Sequence, residues 1–447
     1  MEPSRGSGAY RRLLRNRNYV RVLSAGLGST AGSAISGICL IWIVYSATAS
    51  ALDVGLLGVA FLAAAIPFSV FGGALADRYD RRRLMILADG VRALAMAGVA
   101  AVLELHGFDL VTILAANFVV GAFTTVFNPA EQAIVPALVD APLVADANGL
   151  IRSSRSALQF LGFSSAGVMI VTLGATFGVV VNAATFALSA LLLTGMRIPS
   201  TGAAGARAAP GAPGYFSEIA GGFRWLLAAR GFLELTISAM FFNFCANLVG
   251  TFLVIFVAVV LHGSALVYAL LLAVDVAGLG IGSLLVSPLR AERWAGRAWV
   301  VPYGILAGGV TLTFALVPTV PVALVGVFLV GLFGGFAGTA WLTAAQLLVP
   351  SDMQGRYYGI DNLGSIAIIP VAQIGGAFLI NAYGVRETYV ATAVIWVVVG
   401  LIFLIPRALW NLGYPGGGGN PTLRSDAGAA GTPGSPEETR AASDPAT

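Results

Sequence analysis

The sequence predicts an all-α integral membrane protein with twelve transmembrane helices in two six-helix parallel repeats. Hydrophobic residue types make up 57% of its 447 residues and charged types 10%, and the mean hydropathy is +0.87. Soluble domains are about 45–50% apolar and about 25% charged, so this chain lacks the polar residues to cover a water-exposed surface. A bilayer-spanning helix needs about 20 apolar residues, and the sequence contains twelve such runs, divided six and six by a polar linker.

The first half begins with a basic segment, residues 1–18, that is expected in the cytoplasm. The apolar run after it is roughly twice the usual 7–15-residue core of a signal peptide, so it is predicted to be a retained first helix. This run opens an N-terminal six-helix half at 19–198. The six runs lie at about 20–45, 53–76, 84–103, 109–128, 148–171 and 175–195.

A cytoplasmic linker is predicted at 199–231, because residues 199–214 are almost all Pro, Gly, Ala and Ser. Its last part places Phe223 and Trp225 among charged residues, which favours a helix in the membrane interface. The C-terminal six-helix half follows at 232–406, and the tail 407–447 is predicted to be disordered and cytoplasmic. The runs of this half lie near 233–260, 265–289, 298–317, 320–347, 358–381 and 387–405.

A short repeated motif supports the duplication. The fourth run ends in Gln132-Ala-Ile-Val-Pro136 and the tenth in Gln346-Leu-Leu-Val-Pro350. Six crossings per half return the chain to its starting side, so the two halves share one orientation. Chance similarity of two helix ends is the alternative interpretation.

Composition excludes several classes of function. The sequence has no lysine, so a GxxxxGK[ST] phosphate loop and a Schiff-base lysine are both excluded. His106 and His262 fall in short connections, and Cys39 and Cys245 lie inside apolar runs, so neither a metal site nor a disulfide framework is predicted. The protein is therefore predicted to be no enzyme and to need no cofactor, metal or nucleic acid. Arginines concentrate in alternate connections, which predicts a cell-membrane protein with both termini in the cytoplasm.

One motif has a family resemblance. The second and third runs are joined by Gly73-Ala-Leu-Ala-Asp77-Arg78-Tyr79-Asp80-Arg81-Arg82-Arg83. This segment resembles the GxxxDRxGRR loop of the major facilitator superfamily, with Asp80 in place of the usual glycine. The segments Phe127–Pro136 and Gly355-Arg356 resemble landmarks of its drug and macrolide efflux branch, which includes a siderophore exporter. The likeness covers about residues 11–405.

The motif residues predict a conformational latch. Gly73 permits close helix packing, and Asp77 accepts hydrogen bonds or pairs with an arginine such as Arg78, Arg81 or Arg82. Such contacts form only when the halves meet on the cytoplasmic side, so they would hold an outward-facing state. The alternative is that these arginines only fix membrane topology.

Charges inside the bilayer are costly and therefore suggest function. Asp275 lies mid-way along the eighth run and is the predicted proton-coupling site, with a neutral packing role as the alternative. Asp89 and Arg92 are three residues apart on the third helix, so they share a face and are expected to pair near the latch. Both are also candidates for proton coupling, beside Asp275.

The resemblance implies a central cavity lined by the first, fourth, seventh and tenth helices. Asn117 stands where many proton-coupled relatives carry an arginine, and Gly162-Phe163 replaces the Gly-Pro of the antiporter motif. Aromatic and amide side chains without fixed charge suit a bulky lipophilic substrate, although membrane aromatics also serve packing. The candidate cavity residues are Trp42, Tyr45, Asn117, Phe241, Asn243, Asn247 and Trp341.

The predicted function is secondary active efflux of lipophilic drug-like or siderophore-like small molecules, coupled to protons through alternating access. The expected partners are the small-molecule substrate, protons and membrane lipid, and the expected state is a monomer. An importer or uniporter on the same fold, a membrane-embedded lipid enzyme and a non-transporting membrane partner are the alternatives.

Overall fold

The computed structural model describes residues 7–196, 223–349 and 353–412, and these ranges are helical almost throughout. We define residues 7–196 as the N-terminal group and residues 223–412 as the C-terminal group. The helices of the N-terminal group are α1 (Ser7–Arg15), α2 (Arg17–Thr48), α3 (Ala51–Arg78), α4 (Arg81–Leu105), α5 (Leu110–Leu138), α6 (Val144–Leu173) and α7 (Ala175–Thr194). Those of the C-terminal group, after a helical turn at 223–228, are α8 (Arg230–Thr251), α9 (Ala265–Leu289), α10 (Ala295–Leu316), α11 (Val320–Leu348), α12 (Gln354–Tyr383), α13 (Val385–Ile402) and α14 (Arg407–Trp410).

Eleven helices of the described ranges are long and apolar enough to cross a bilayer. The apolar stretch Ala51–Ala65 within α3 is shorter. The predicted all-helical, membrane-spanning fold is therefore confirmed, while the count of twelve crossings stays a prediction. The domain boundaries also stay a prediction, because residues 199–222 of the linker and 413–447 of the tail lie outside the described residues.

Polar side chains fix where several helices begin. The Asn16 carboxamide oxygen accepts hydrogen bonds from the backbone N–H groups of Asn18 and Tyr19, at 3.0 and 3.1 Å, and so caps α2. Asp80 caps α4 and Asp109 caps α5 in the same way. The hydroxyl of Thr112 and two backbone N–H groups hold the pKa of Asp109 below its usual range, since they stabilise its charged form.

The helix α10 departs from regular α-helical geometry. Its segment Trp299–Leu306 is π-helical and contains Pro302. Proline has no backbone N–H to donate, and a π-helical turn is one way for a helix to accommodate the missing bond. The apolar run alone predicted an uninterrupted helix here.

The start of the predicted tail is ordered. The helix α14 packs at the ends of α8 and α10, where the backbone N–H of Leu409 donates to Glu234 at 2.8 Å. The guanidinium of Arg297 lies 4.9 Å from the ring centre of Trp410. Residues 407–412 thus pack on the C-terminal group, and the disorder expected for the tail stays a prediction.

The buried residues show how the two groups meet. At the end that holds the 49–50 and 384 turns, buried side chains of both groups form one cluster, which includes Leu57 of α3 and Ala372 of α12. At the other end, which holds the 79–80 and 139–143 turns, the described buried residues form separate clusters. We call these the joined end and the split end. The groups therefore close on each other at the joined end and separate towards the split end.

Candidate functional site

A cavity of about 980 Å³ lies between the two groups. Its wall in the N-terminal group comes from α2 to α7, and its wall in the C-terminal group comes from α8, α9 and α10. Because the groups are packed together at the joined end, this cavity is closed there and widens towards the split end. Such a volume accommodates a drug-sized molecule.

Asp275 lies in this wall, near the middle of α9. The helix α11 approaches α9 closely here, since a Cβ atom on Gly331 would lie only 2.2 Å from the carbonyl oxygen of Asp275. Among the described residues, no side chain or backbone group forms a hydrogen bond or an ion pair with the Asp275 carboxylate. A partly exposed carboxylate without a partner is able to bind a proton or a cation from the cavity.

Asp89 and Arg92 form the predicted pair on α4. The Arg92 guanidinium donates to one Asp89 oxygen and the Ser189 hydroxyl donates to the other. The same guanidinium lies 4.5 Å from the ring centres of both Phe127 and Phe186. Asp89 is fully buried. Arg92 lines the cavity but is only 4% exposed. The contacts of both side chains are thus taken up within the N-terminal group.

A second ion pair was missed by the sequence reasoning. Glu131 of α5 is 4% exposed, and its two carboxylate oxygens lie 2.6 and 2.5 Å from Nη2 of Arg155 on α6. Arg155 also lines the cavity. The residues are 24 apart on different helices, so no periodicity within one helix indicates the pair. Glu131 lies just beyond the predicted fourth run, 109–128, so the search for charges inside apolar runs did not select it, whereas the helix itself continues to Leu138.

The three predicted amides line the cavity together. Asn117 donates to the Leu57 carbonyl at 2.6 Å, and Asn247 donates to the Asn243 carbonyl at 2.8 Å. Asn243 donates weakly to Ser365 at 3.4 Å. Each of these bonds uses one N–H of a carboxamide, so every amide keeps its oxygen and a second N–H for a ligand.

The predicted aromatics are placed elsewhere. Trp42 and Tyr45 pack against the shared cluster of the joined end, and Phe241 is 47% exposed. Trp341 donates to the Tyr357 hydroxyl at 3.3 Å inside the C-terminal group. None of the four is among the described residues that line the cavity. The aromatics that do line it, which the sequence analysis did not select, are Phe61, Phe127, Phe163, Tyr268 and Tyr303.

The predicted and observed cavity aromatics differ because of the angular position of each side chain around its helix. Helix membership follows from the apolar runs, whereas the face that meets the cavity depends on how neighbouring helices pack. Asp361 of α12 also illustrates that a charge inside an apolar run does not reveal which way its helix face points. It is buried, accepts a hydrogen bond from Thr236 at 3.3 Å and is not among the described residues that line the cavity.

The predicted latch is only partly visible. The Arg81 guanidinium donates to the Ala133 carbonyl at 2.9 Å, and Arg82 donates to the carbonyls of Leu193 and Thr194. These contacts lie within the N-terminal group. The surroundings of Gly73 and the side chains of Asp77 and Arg78 lie outside the described part of the chain, so the latch stays a prediction.

Long apolar helices around a central cavity that is closed at one end are typical of a multi-pass membrane transporter. The chain belongs to the Major Facilitator Superfamily, which it matches over residues 22–363 and 235–412. It is 25% identical to the multidrug efflux pump Tap of Mycobacterium tuberculosis H37Rv over 402 residues, 88% of this chain and 94% of that protein.

Two further comparisons show similarity to transporters. The lysophospholipid transporter LplT of Cronobacter sakazakii is 30% identical over 294 residues, 63% of this chain and 68% of that protein. The crystal structure of a bacterial homologue of the human lysosomal transporter Spinster, inward-facing and unoccupied, superposes with a TM-score of 0.70 at 16% identity, covering 89% of this chain and 98% of that chain. The latter likeness shows the fold alone.

Proposed function

We propose that this transporter exports lipophilic, neutral or cationic small molecules in exchange for protons. Asp275 is the residue that carries the proposal, because it is a carboxylate in the cavity wall without a partner among the described residues. In this proposal it binds a proton when the cavity faces one side and releases it when the cavity faces the other. The Tap pumps, which share 25–26% of their residues with this chain, support efflux as the direction.

The composition of the cavity supports a lipophilic substrate. Among the described residues, two arginines line it, and each is bound to a carboxylate of its own group. The fixed charges of the N-terminal wall therefore cancel, and Asp275 is left as the net charge. Aromatic rings and amide oxygens form much of the remaining wall, which suits a bulky molecule with few charges.

The available energy is sufficient for such transport. One proton crossing a potential of about 100 mV releases about 2.3 kcal/mol, which supports a substrate gradient of roughly fifty-fold. In the proposed topology the split end faces the cytoplasm of the cell membrane and both termini lie inside. The described conformation is then inward-facing, ready to take up substrate from the cytoplasm.

The Asp275→Asn variant in proteoliposomes tests the proposal. The transported probe is a lipophilic dye. An amide cannot bind and release a proton as a carboxylate does, so uphill efflux of the dye driven by an imposed pH gradient should fall at least tenfold, while its downhill exchange continues. Asp53→Asn, which changes a carboxylate in the first turn of α3, is the matched control and should keep gradient-driven efflux.

Protonophore addition should abolish uphill efflux by the wild type. Wild-type efflux that ignores the protonophore would disprove proton coupling, and gradient-driven efflux by Asp275→Asn at the wild-type rate would remove Asp275 from the mechanism. Uptake in the direction of proton entry would identify an importer instead.

A further inference from the structure

The two arginines that line the cavity, among the described residues, differ in how many of their N–H donors are already bound within the protein. Arg92 is 4% exposed, lies against two aromatic rings and donates to Asp89 and Thr124. The Arg155 side chain is 33% exposed, and Glu131 binds its Nη2 only. The buried Nε of Arg155 has no hydrogen-bond partner among the described residues. A guanidinium carries five N–H donors in a planar fork, so Arg155 retains donors that Glu131 does not bind, and we call these donors its free edge.

A second unpartnered polar group lies on α2, the helix that contacts the Glu131–Arg155 pair. Ser29 of α2 is 7% exposed and lines the cavity, and its hydroxyl has no hydrogen-bond partner among the described residues. Helix α2 approaches Arg155 directly, since a Cβ atom on Gly26 would lie 2.9 Å from its Nη2. Ser29 is one turn further along the same helix. Both residues lie about 17 Å along their helices from the split end, at 1.5 Å per residue.

Buried polar groups without partners are rare in folded proteins and are expected to be satisfied by a water molecule or a ligand. We infer that Arg155 and Ser29 form a hydrogen-bond-donor subsite in the N-terminal wall, which binds a neutral oxygen acceptor, such as a ketone or ether oxygen, of the transported molecule. The inference rests on the proposed function, because it describes how a substrate is held in the same cavity.

The preference for a neutral oxygen follows from the charges. Glu131 already neutralises Arg155, so a carboxylate ligand at the free edge would place two negative groups around one guanidinium. Asp275 in the opposite wall adds a further negative charge when it is ionised. A carbonyl oxygen accepts the same hydrogen bonds without this repulsion, and the Ser29 hydroxyl hydrogen is free to rotate towards it.

Three matched probes test the subsite on the purified full-length protein. They share a dimethylaminonaphthalene ring and carry a propionyl ketone, a propyl group or a carboxylate. Titration calorimetry at one pH, without any gradient, should show the ketone binding about tenfold more tightly than the propyl compound, and the carboxylate more weakly than the ketone.

Arg155→Lys is the decisive variant, because a lysine keeps the charge that pairs with Glu131 but has no planar second edge. The ketone should lose its advantage over the propyl compound in this variant, and most of it in Ser29→Ala. Ser164→Ala is the matched control on α6, since its hydroxyl already donates to the Phe160 carbonyl at 2.8 Å, and it should keep the wild-type ranking.

Equal binding of ketone and propyl compounds by the wild type, or an unchanged ranking in both Arg155→Lys and Ser29→Ala, overturns the inference. These results are distinct from a failure of the proposed function. Binding is measured without transport, so loss of proton coupling leaves it unaffected, and proton-driven efflux with no preference among the probes would remove only the subsite.

Discussion

The role of each charged group at the cavity depends on the side chains that contact it. Asp89 and Glu131 are both held by an arginine, whereas Asp275 has no such neighbour among the described residues. An ion pair out of water is costly to form, and removing one partner leaves an uncompensated charge that costs more. We therefore assign Asp89 and Arg92 to the stability of the N-terminal group and Asp275 to the transport cycle.

The variants Asp89→Asn and Arg92→Met test this assignment. Each alone strands its buried partner, so each should reduce the free energy of unfolding by about 3–5 kcal/mol and lower the melting temperature in detergent. The double variant removes both charges and should recover a substantial part of the loss. A normal melting temperature for Asp89→Asn, together with loss of proton-driven efflux, would instead place Asp89 in the coupling mechanism.

At the level of helices, the two groups meet at the joined end through the contact of α3 with α12, which we call the seam, and through the contact of α6 with α9. Gln373 of α12 is 7% exposed, and its carboxamide lies against Gly58 of α3, where a Cβ atom would come within 2.0 Å of Nε2. The carboxamide oxygen of Gln373 has no hydrogen-bond partner among the described residues. The seam is thus closely packed yet contains an unsatisfied polar atom, which separation of the helices would expose to water.

Gly55→Ala should open this seam, because a Cβ atom there would lie 2.9 Å from the backbone carbonyl oxygen of Gln373, which cannot rotate away as a side chain can. Gln373→Leu should act in the opposite direction, since it removes the buried polar atom. A reporter cysteine in place of Ile41, which lines the cavity, should react several-fold faster with an impermeant maleimide added at the joined end in the first variant and more slowly in the second.

The background of that labelling experiment is low, because Cys39 and Cys245 are both buried. Gly98→Ala is the matched control on α4, since a Cβ atom there meets nothing within 4 Å. Equal labelling rates in Gly55→Ala and Gly98→Ala would show that the seam does not limit opening.

For the whole molecule, the separate clusters at the split end and the shared cluster at the joined end describe one of the two states that alternating access requires. In the proposed cycle the groups rock until the split end closes. Arg81 and Arg82 already bind carbonyls of their own group. The proposed latch therefore requires Asp77, and it requires arginines whose N–H donors can still bind the C-terminal group.

Two exposed tyrosines at opposite ends of the bundle test the proposed orientation. Tyr79 is 62% exposed at the split end, and Tyr383 is 69% exposed at the joined end. Because arginine-rich connections remain in the cytoplasm, an impermeant maleimide should label Tyr383→Cys in intact cells, and Tyr79→Cys only after permeabilisation. The reverse pattern would invert the topology and with it the assigned direction of transport.

The apolar runs, the arginine distribution and the Gly73–Arg83 motif determined the class, the membrane-spanning fold and the family from the sequence alone. These properties depend on residues that are close along the chain, because the bilayer requires every spanning segment to satisfy its own backbone hydrogen bonds. The same local reasoning found Asp275, since a charge within an apolar run is visible without knowledge of its neighbours.

Only the tertiary structure decided which faces of the helices meet. It placed Asn117, Asn243 and Asn247 in the cavity and the four predicted aromatics outside its wall. It also joined Glu131 to Arg155 across two helices and left one edge of that arginine free. Such pairings depend on helix rotation and crossing, which are set by the packing of side chains distant in sequence, and an apolar run constrains neither.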